Sequence, residues 1–432
     1  MSAEATASPV SRALPLWRDP AAWAKTADIF AALVALALPW STTLVGIFVV
    51  ALLVTMAPAL EPESFVRSLK RPICLLPIAL FGLALVGTLW SEAPWGARLY
   101  AVGPVAKLLM LPLLIYHFER SARGTWVFVA FLVSCTILMA FSWVVASYPQ
   151  LALKPDAEYG VPVKNYIDQS QEFALCAVAL AYPVIRLLGD RRHMAAALLG
   201  AIAFGFVLNM VLVTISRTAL VTFPITLLVF ALLHLKWRNI VVGLCVGLAL
   251  AAFVLTAIAQ TQTKRWSVLE EYRLYRERNI PTSIGLRIEF WKKSLLFLGE
   301  APGIGHGTGS IGGLFKRAAA NKRGAEGDVV KNPHNQLLNV AIQWGVIGAL
   351  ILCAMWWRHL LLFRGEGLAA WIGLLVVVQN IFTSLFNSHL FDFNEGWIYV
   401  LFVGVAGGMI LANRPGEAPP AQIQSWELRG AR

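Results

Sequence analysis

Runs of apolar residues long enough to cross a bilayer recur along this chain, and they constrain its fold more than any other feature. A spanning helix needs about 20 mostly apolar residues. Such runs lie near 27–40, 42–59, 72–90, 99–116, 124–147, 171–187, 194–214, 217–235, 239–259, 335–357, 368–386 and 396–412. The first two either turn at Trp40-Ser41-Thr42 or form one long tilted span. About 12 transmembrane helices are therefore expected, with about 11 as the rival count. Hydrophobic residues make up 58% of the 432 positions and charged residues 14%, against about 45–50% and 25% in soluble domains. That balance excludes a secreted disulfide scaffold, a disordered hub and an ordinary cytosolic enzyme. The expected fold is an all-α polytopic membrane protein.

A net charge of +12 would suggest nucleic acid in a soluble chain. In a membrane chain the placement of charge matters more than its sum, and no nucleic-acid partner is expected. If the N-terminus is cytoplasmic, the inner segments hold 18 Lys and Arg, from Arg12 to Arg432. The short outer connections hold only Arg98, Lys154, Lys164 and Arg217. Both ends are thus expected in the cytoplasm. No small-residue cleavage site follows the first apolar run, which reads as an uncleaved span. The expected organisation is a cytoplasmic N-terminus (1–26), nine spans (27–259), a large periplasmic loop (260–333), three spans (334–412) and a cytoplasmic tail (413–432). The loop carries 13 Lys and Arg against 7 Asp and Glu. Long loops cross largely regardless of charge, and this excess suits either a solvated surface or a site for an anionic headgroup or pyrophosphate. All five cysteines (Cys74, Cys135, Cys176, Cys245 and Cys353) fall within apolar spans. They offer neither a disulfide framework nor a thiolate metal spacing.

Candidate chemistry gathers in and around the large loop. It opens on Lys264-Arg265-Trp266, and Ile284 to Leu298 reads as an amphipathic helix at the membrane surface, with Arg287, Lys292 and Lys293 able to reach headgroups. Pro302 to Ser310 is Gly-rich and leads into a literal G-x-G-x-x-G at 307–312. No strand precedes it, so the dinucleotide reading fails; plain turn chemistry or backbone N–H groups offered to an anion remain. Asn332-Pro333-His334-Asn335 marks a helix start, with Asn335 a possible cap and His334 in the first turn. The helix dipole there disfavours imidazolium and leaves a neutral ring able to accept a proton. On a continuous helix Gly345 and Gly348 would lie below His334 on the same face. Arg217 is an outer positive charge at a helix N-terminus, better suited to a bound anion than to anchoring. Lys107 lies within a span, where snorkelling or a buried partner competes with a functional role. Asn387, His389, Asp392 and Glu395 occupy the last outer turn, either orienting the base or simply solvated.

Taken together these residues resemble the O-antigen ligase and O-antigen polymerase superfamily. The likeness rests on His334-Asn335 followed after nine residues by Gly345-x-x-Gly348. It also rests on Arg287, Trp291 and Pro302-Gly303-Ile304-Gly305, and on Ser216-Arg217-Thr218-Ala219-Leu220. It covers roughly 170–400; Val221 stands where the family often has Leu. The resemblance implies a GT-C-like glycosyltransferase of the bacterial inner membrane with its active site on the periplasmic side. Such an enzyme transfers a polysaccharide from undecaprenyl pyrophosphate to lipid A–core, with inversion and without metal or cofactor.

The residues suit that chemistry. No D-x-D or paired carboxylate with clear metal spacing appears in the outer loops, so the leaving pyrophosphate needs guanidinium groups: Arg217, Arg287 and Arg265, in that order. His334 is the expected general base, with Asn335 beside it as a substrate contact. Within the superfamily, a polymerase and a protein O-oligosaccharyltransferase are the alternatives. A small-anion transporter is a different class, and should show broken helices or internal repeats with intramembrane charge near the midplane, where only Lys107 qualifies.

Overall fold

The computed structural model describes residues 19–155, 158–213, 217–234 and 268–413. The described residues are helical with no strand: α1 (Pro20–Ala37), α2 (Thr42–Met56), α3 (Pro62–Leu69), α4 (Pro72–Val86), α5 (Trp95–Ala106), α6 (Met110–Phe118), α7 (Gly124–Ser147), α8 (Tyr166–Ala179), α9 (Ala181–Gly189), α10 (His193–Leu212), α11 (Arg217–His234), α12 (Val268–Arg278), α13 (Ser283–Glu300), α14 (Ile311–Ala318), α15 (Gln336–Leu362), α16 (Leu368–Thr383) and α17 (Phe393–Ala412). Among the described residues eight helices are long and apolar enough to cross a membrane, and α3 with α4, bent by 80°, makes a ninth candidate. Every apolar run expected from the sequence is helical except 239–259, which lies outside the described residues.

Proline sets several of the interruptions. Pro112 has no N–H for the carbonyl of Leu108, and the segment Lys107–Leu109 tightens to a 3₁₀ turn between α5 and α6. Pro183 likewise has no N–H for the carbonyl of Ala179, where α8 gives way to α9 at Leu180. At the first pair Ser41 caps α2 by accepting the Leu44 N–H at 3.2 Å. The chain reverses there, so 27–40 and 42–59 are two helices and not one tilted span.

Between helices in lipid, close backbone approach replaces the hydrophobic effect as the main source of packing. Gly404 and Gly408 of α17 face α6, where an added Cβ would meet Leu114 Cβ at 2.6 Å and the Ile115 carbonyl at 2.7 Å. Phe128 of α7 stacks on Phe402 at 5.7 Å from the other side. The connections 38–41, 148–165 and 384–392 meet at one end of the bundle, where Lys164 Nζ donates to both the Leu38 carbonyl and Asn394 Oδ1. At the opposite end the buried Asp28 collects His117, Ser121 and Arg123.

The described part of the large loop folds as helices docked on the first of these ends. Phe290 and Phe297 of α13 bury against Ile311, Leu314 and Phe315 and against Ile342 of α15. Thr282 caps α13 through the Gly285 N–H at 3.1 Å. The expectation that both lysines of this helix reach headgroups needs correction. Lys293 is buried and donates to the Glu326 carbonyl at 2.5 Å, while Lys292 pairs with Glu289 at 3.1 Å and bonds Tyr275. Leu295 and Leu296 remain exposed on the far side of the helix.

Candidate active site

The Gly-rich segment inserts into a break in α15. Trp344 and Gly345 leave helical geometry, Gly345 at φ 63° and ψ −160°, so the helix loses hydrogen bonds in its buried middle. Unpaired backbone groups of that kind are costly. The loop replaces them. His306 N–H donates to the Ile342 carbonyl at 2.9 Å and Gly307 N–H to that of Gln343 at 2.8 Å, while Val346 N–H donates to the Pro302 carbonyl at 2.8 Å. Thr308 N–H bonds the Gly87 carbonyl and Gly309 N–H bonds Gln343 Oε1. The amides of residues 305–310 are therefore spent on protein acceptors, and the anion-cradle reading fails for these six. Gly345 and Gly348 likewise do not continue one helical face below His334, because the break intervenes.

His334 sits just before α15 and not in its first turn. Asn335 is the N-cap, its Oδ1 accepting the Leu338 N–H at 3.1 Å while its amide donates to the Leu385 carbonyl at 3.3 Å. Both polar ends of Asn335 thus make a structural hydrogen bond, which leaves one amide N–H and one oxygen lone pair uncounted by these contacts. His334 itself has φ 53°, a left-handed conformation uncommon for residues other than glycine but more often accepted by His, Asn and Asp. An Asx turn across Pro333 holds it there, with Asn332 Oδ1 accepting the His334 N–H at 2.9 Å.

The imidazole is held on two sides. Phe290 of α13 lies nearly parallel to it, with centroids 5.9 Å apart and planes 25° apart. Nδ1 is 2.9 Å from Asn387 Oδ1. Burial, followed by the charge of Arg287, lowers the proton affinity of His334 below the ordinary value against the opposing Asn387 bond and Asp392 charge. The neutral ring expected from the sequence thus has a different cause: desolvation and a neighbouring guanidinium, not the helix dipole. Arg287, partly buried, lies one turn before Phe290 on α13.

Asn387 leads to a group only weakly legible in the sequence. Its Nδ2 donates to Asp392 Oδ2 at 2.8 Å. His389, fully buried, places Nδ1 3.3 Å from Asp392 Oδ2 and 3.5 Å from Glu395 Oε1. Against the cost of burial, the carboxylates of Glu395 and Asp392 raise His389 to about 10, so it is an imidazolium at neutral pH. His389, Asp392 and Glu395 bring one ligand atom each to within 4.8 Å of one another, a grouping able to hold a metal by distance alone. Lys107 Nζ adds a second positive charge by donating to the Phe391 and Asp392 carbonyls. Without an ion the group is a buried ion cluster, and a metal held there would have to displace the His389 proton. Lys107 accordingly has the buried partner that was one of its two sequence readings. Beside the cluster an open cavity of about 320 Å³ is lined by Lys164, Asn165, Asp168, Asn387, Asp392 and Asn394, among others.

The structure therefore brings His334 and Arg287 together and adds Asn332, Asn387 and Asp392 to them. Arg217 opens α11, but its side chain lies outside what is described, and Arg265 lies outside the described residues. The spacing Asn387, His389, Asp392, Glu395 was visible as a polar turn that either orients the base or is solvated; the structure places Asn387 against His334, although 53 residues and two helices separate the two in sequence.

No curated protein matches this chain. Residues 202–353, about a third of the chain, match the family described as O-antigen ligase. The matched stretch includes Arg217, Arg287, the Gly-rich loop, His334 and the break in α15 that the loop completes, and over these residues the chain is similar to that family.

Proposed function

We propose that the chain is an O-antigen ligase: it transfers a polysaccharide from undecaprenyl pyrophosphate to lipid A–core at the periplasmic face of the inner membrane. One observation carries this reading. A neutral imidazole, His334, sits beside a guanidinium, Arg287, at the end of the bundle where the large loop docks. Glycosyl transfer from a pyrophosphate needs those two groups. The acceptor hydroxyl must lose its proton as it attacks, and the charge developing on the leaving diphosphate must be stabilised.

In this reading His334 takes the acceptor proton as the hydroxyl attacks the anomeric carbon. The C–O bond to the diphosphate breaks on the opposite face, with inversion, and both bonding electrons leave with the phosphate oxygen. Arg287 stabilises that oxygen, and a fixed cation aimed at developing negative charge is usually the largest catalytic contribution. Arg217 and Arg265 are assigned to the same diphosphate on their residue type and sequence context. Fixed guanidinium charge performs the task here without a metal. The polar cavity lined by Asn387, Asp392 and Asn394 suits the hydroxyl-rich glycan better than the anion. A polymerase or a protein O-oligosaccharyltransferase would use the same chemistry on a different acceptor.

The test mixes the purified protein, in proteoliposomes, with a polyprenyl-pyrophosphate glycan and rough lipopolysaccharide. A ladder of glycan-bearing lipopolysaccharide, formed equally well in EDTA, is expected. Lengthened polyprenyl-linked chains with unmodified lipopolysaccharide would instead identify a polymerase, and activity lost in EDTA and restored by Mg²⁺ would remove the metal-free mechanism.

A further inference from the structure

We infer that Asn387 is a positioning residue that sets the tautomer of His334, holding the proton on Nδ1 and leaving the Nε2 lone pair for the acceptor hydroxyl. The inference rests on His334 acting as the base, and it follows from counting donors and acceptors.

Asp392, as a carboxylate, can only accept hydrogen bonds. Its neighbour at 2.8 Å on Oδ2 must therefore be the NH₂ end of Asn387. The other end of that side chain gives an independent answer. Asn332 Oδ1 is engaged by two donors, the His334 backbone N–H at 2.9 Å and Ser388 Oγ at 2.7 Å. The remaining end of Asn332 is its NH₂, which lies 3.0 Å from Asn387 Oδ1. Both routes turn the Asn387 carbonyl oxygen toward His334. That oxygen has no proton, so His334 Nδ1, 2.9 Å away, must carry one. In a neutral ring Nε2 is then the unprotonated nitrogen.

The arrangement is secured from behind. His389 lies between Asp392 and Glu395, its Nδ1 3.3 Å from Asp392 Oδ2 and 3.5 Å from Glu395 Oε1. Lys107 holds the Asp392 carbonyl. The Ser388 hydroxyl that donates to Asn332 itself accepts from Asn339 Nδ2 at 3.1 Å. The charged and titratable groups around the imidazole are Arg287 on α13 and Asp392 and His389 in the connection before α17, with Glu395 and Lys107 behind them. A carboxylate in the position of Asn387 would also accept from Nδ1, but would hold the imidazolium more tightly. An amide orients the ring while leaving its proton affinity low.

Free imidazole side chains favour the proton on Nε2, the tautomer in which Nε2 cannot accept from a hydroxyl. Asn387→Leu, similar in size and unable to accept, is expected to reduce kcat about 10²- to 10⁴-fold, the range in which loss of a tautomer-setting partner is felt, with donor KM within about three-fold. Asn387→Asp keeps an acceptor facing Nδ1. It should retain at least ten-fold more activity than Asn387→Leu, with the acid limb of its pH–rate profile moved up by about one unit or more. A structural role alone would not move that limb. Nitrogen NMR of ¹⁵N-histidine-labelled protein, with His334 assigned by its absence in His334→Asn, reads the tautomer without any substrate and so does not depend on the ligase reading. A protonated Nδ1 and a pyridine-type Nε2 are expected in the wild type, reversed or mixed in Asn387→Leu. The inference is overturned if the wild-type proton resides on Nε2, or if Asn387→Leu leaves both tautomer and kcat unchanged. Failure of the wild type to transfer glycan would strike the functional reading while leaving the tautomer result to stand.

Discussion

Replacing His334 by asparagine is expected to lower glycan transfer about 10²- to 10⁴-fold while donor binding stays within a few-fold. Asparagine is the informative replacement because it tolerates the left-handed backbone found at φ 53°, so loss of activity is not confused with loss of the turn. Alanine removes the base equally but adds backbone strain. Initial rates in proteoliposomes, paired with binding of a labelled polyprenyl-pyrophosphate glycan, separate chemistry from recognition. Near-normal rates in the variant would remove His334 from the mechanism. The pH dependence follows from the same residue. Only the neutral ring accepts a proton, so the rate falls as pH drops through the His334 pKa. Burial and Arg287 hold that value below the ordinary one, near 6.5. Activity should therefore persist to more acid pH than an exposed histidine would permit. Neutralising Arg287 should move the limb upward, since a cation that opposed protonation has gone.

Gly345→Ala is expected to yield little or no correctly folded protein, read as loss of a monodisperse species in detergent and a lowered thermal midpoint. Two costs act together. The φ of 63° and ψ of −160° lie in a region open essentially to glycine alone, at about 1–3 kcal/mol for any other residue. A Cβ there would also fall inside van der Waals contact with the Gly303 carbonyl. Relief requires the loop to move, and that movement breaks the bonds by which His306, Gly307 and Pro302 complete the helix. Each buried backbone group left unpaired costs about 1–3 kcal/mol more. Gly348→Ala is the comparison: its Cβ would meet the Trp344 side chain and not backbone, so a smaller loss is expected. Wild-type stability in Gly345→Ala would mean that the loop does not hold the break closed.

The helices were largely legible because apolar runs of spanning length leave little choice of structure in a bilayer. The ends shifted by a few residues, as with 99–116, which became Trp95–Phe118 around a 3₁₀ turn. The break in α15 was not legible. Gln336–Leu362 contains no proline, and Gly345 alone does not distinguish a packing notch from a kink. Only the docking of Pro302–Gly309 against Gln343 and Gly345 explains why the helix opens there. His334 and Arg287 could be named from residue type and setting. Asn387 could be named only as one of four residues of the last outer turn able to orient the base, because its role depends on which end of an amide faces which partner across three separate segments. Asn335 was legible as a helix cap, and its side chain caps α15 through the Leu338 N–H while its amide donates to the Leu385 carbonyl.

The central claim is that a lipid diphosphate reacts in the space between Arg287 and His334. The most direct measurement uses a polyprenyl-diphosphate glycan with a photoactivatable group next to the diphosphate, irradiated in proteoliposomes holding the wild-type protein. Labelled peptides should fall within Ser283–Glu300 and around His334, diminish with excess unlabelled donor, and be lost in Arg287→Ala. Competable labelling at the opposite end of the bundle, around Arg120–Arg123 or Arg186–Arg192, with none on α13 or beside His334, would contradict it.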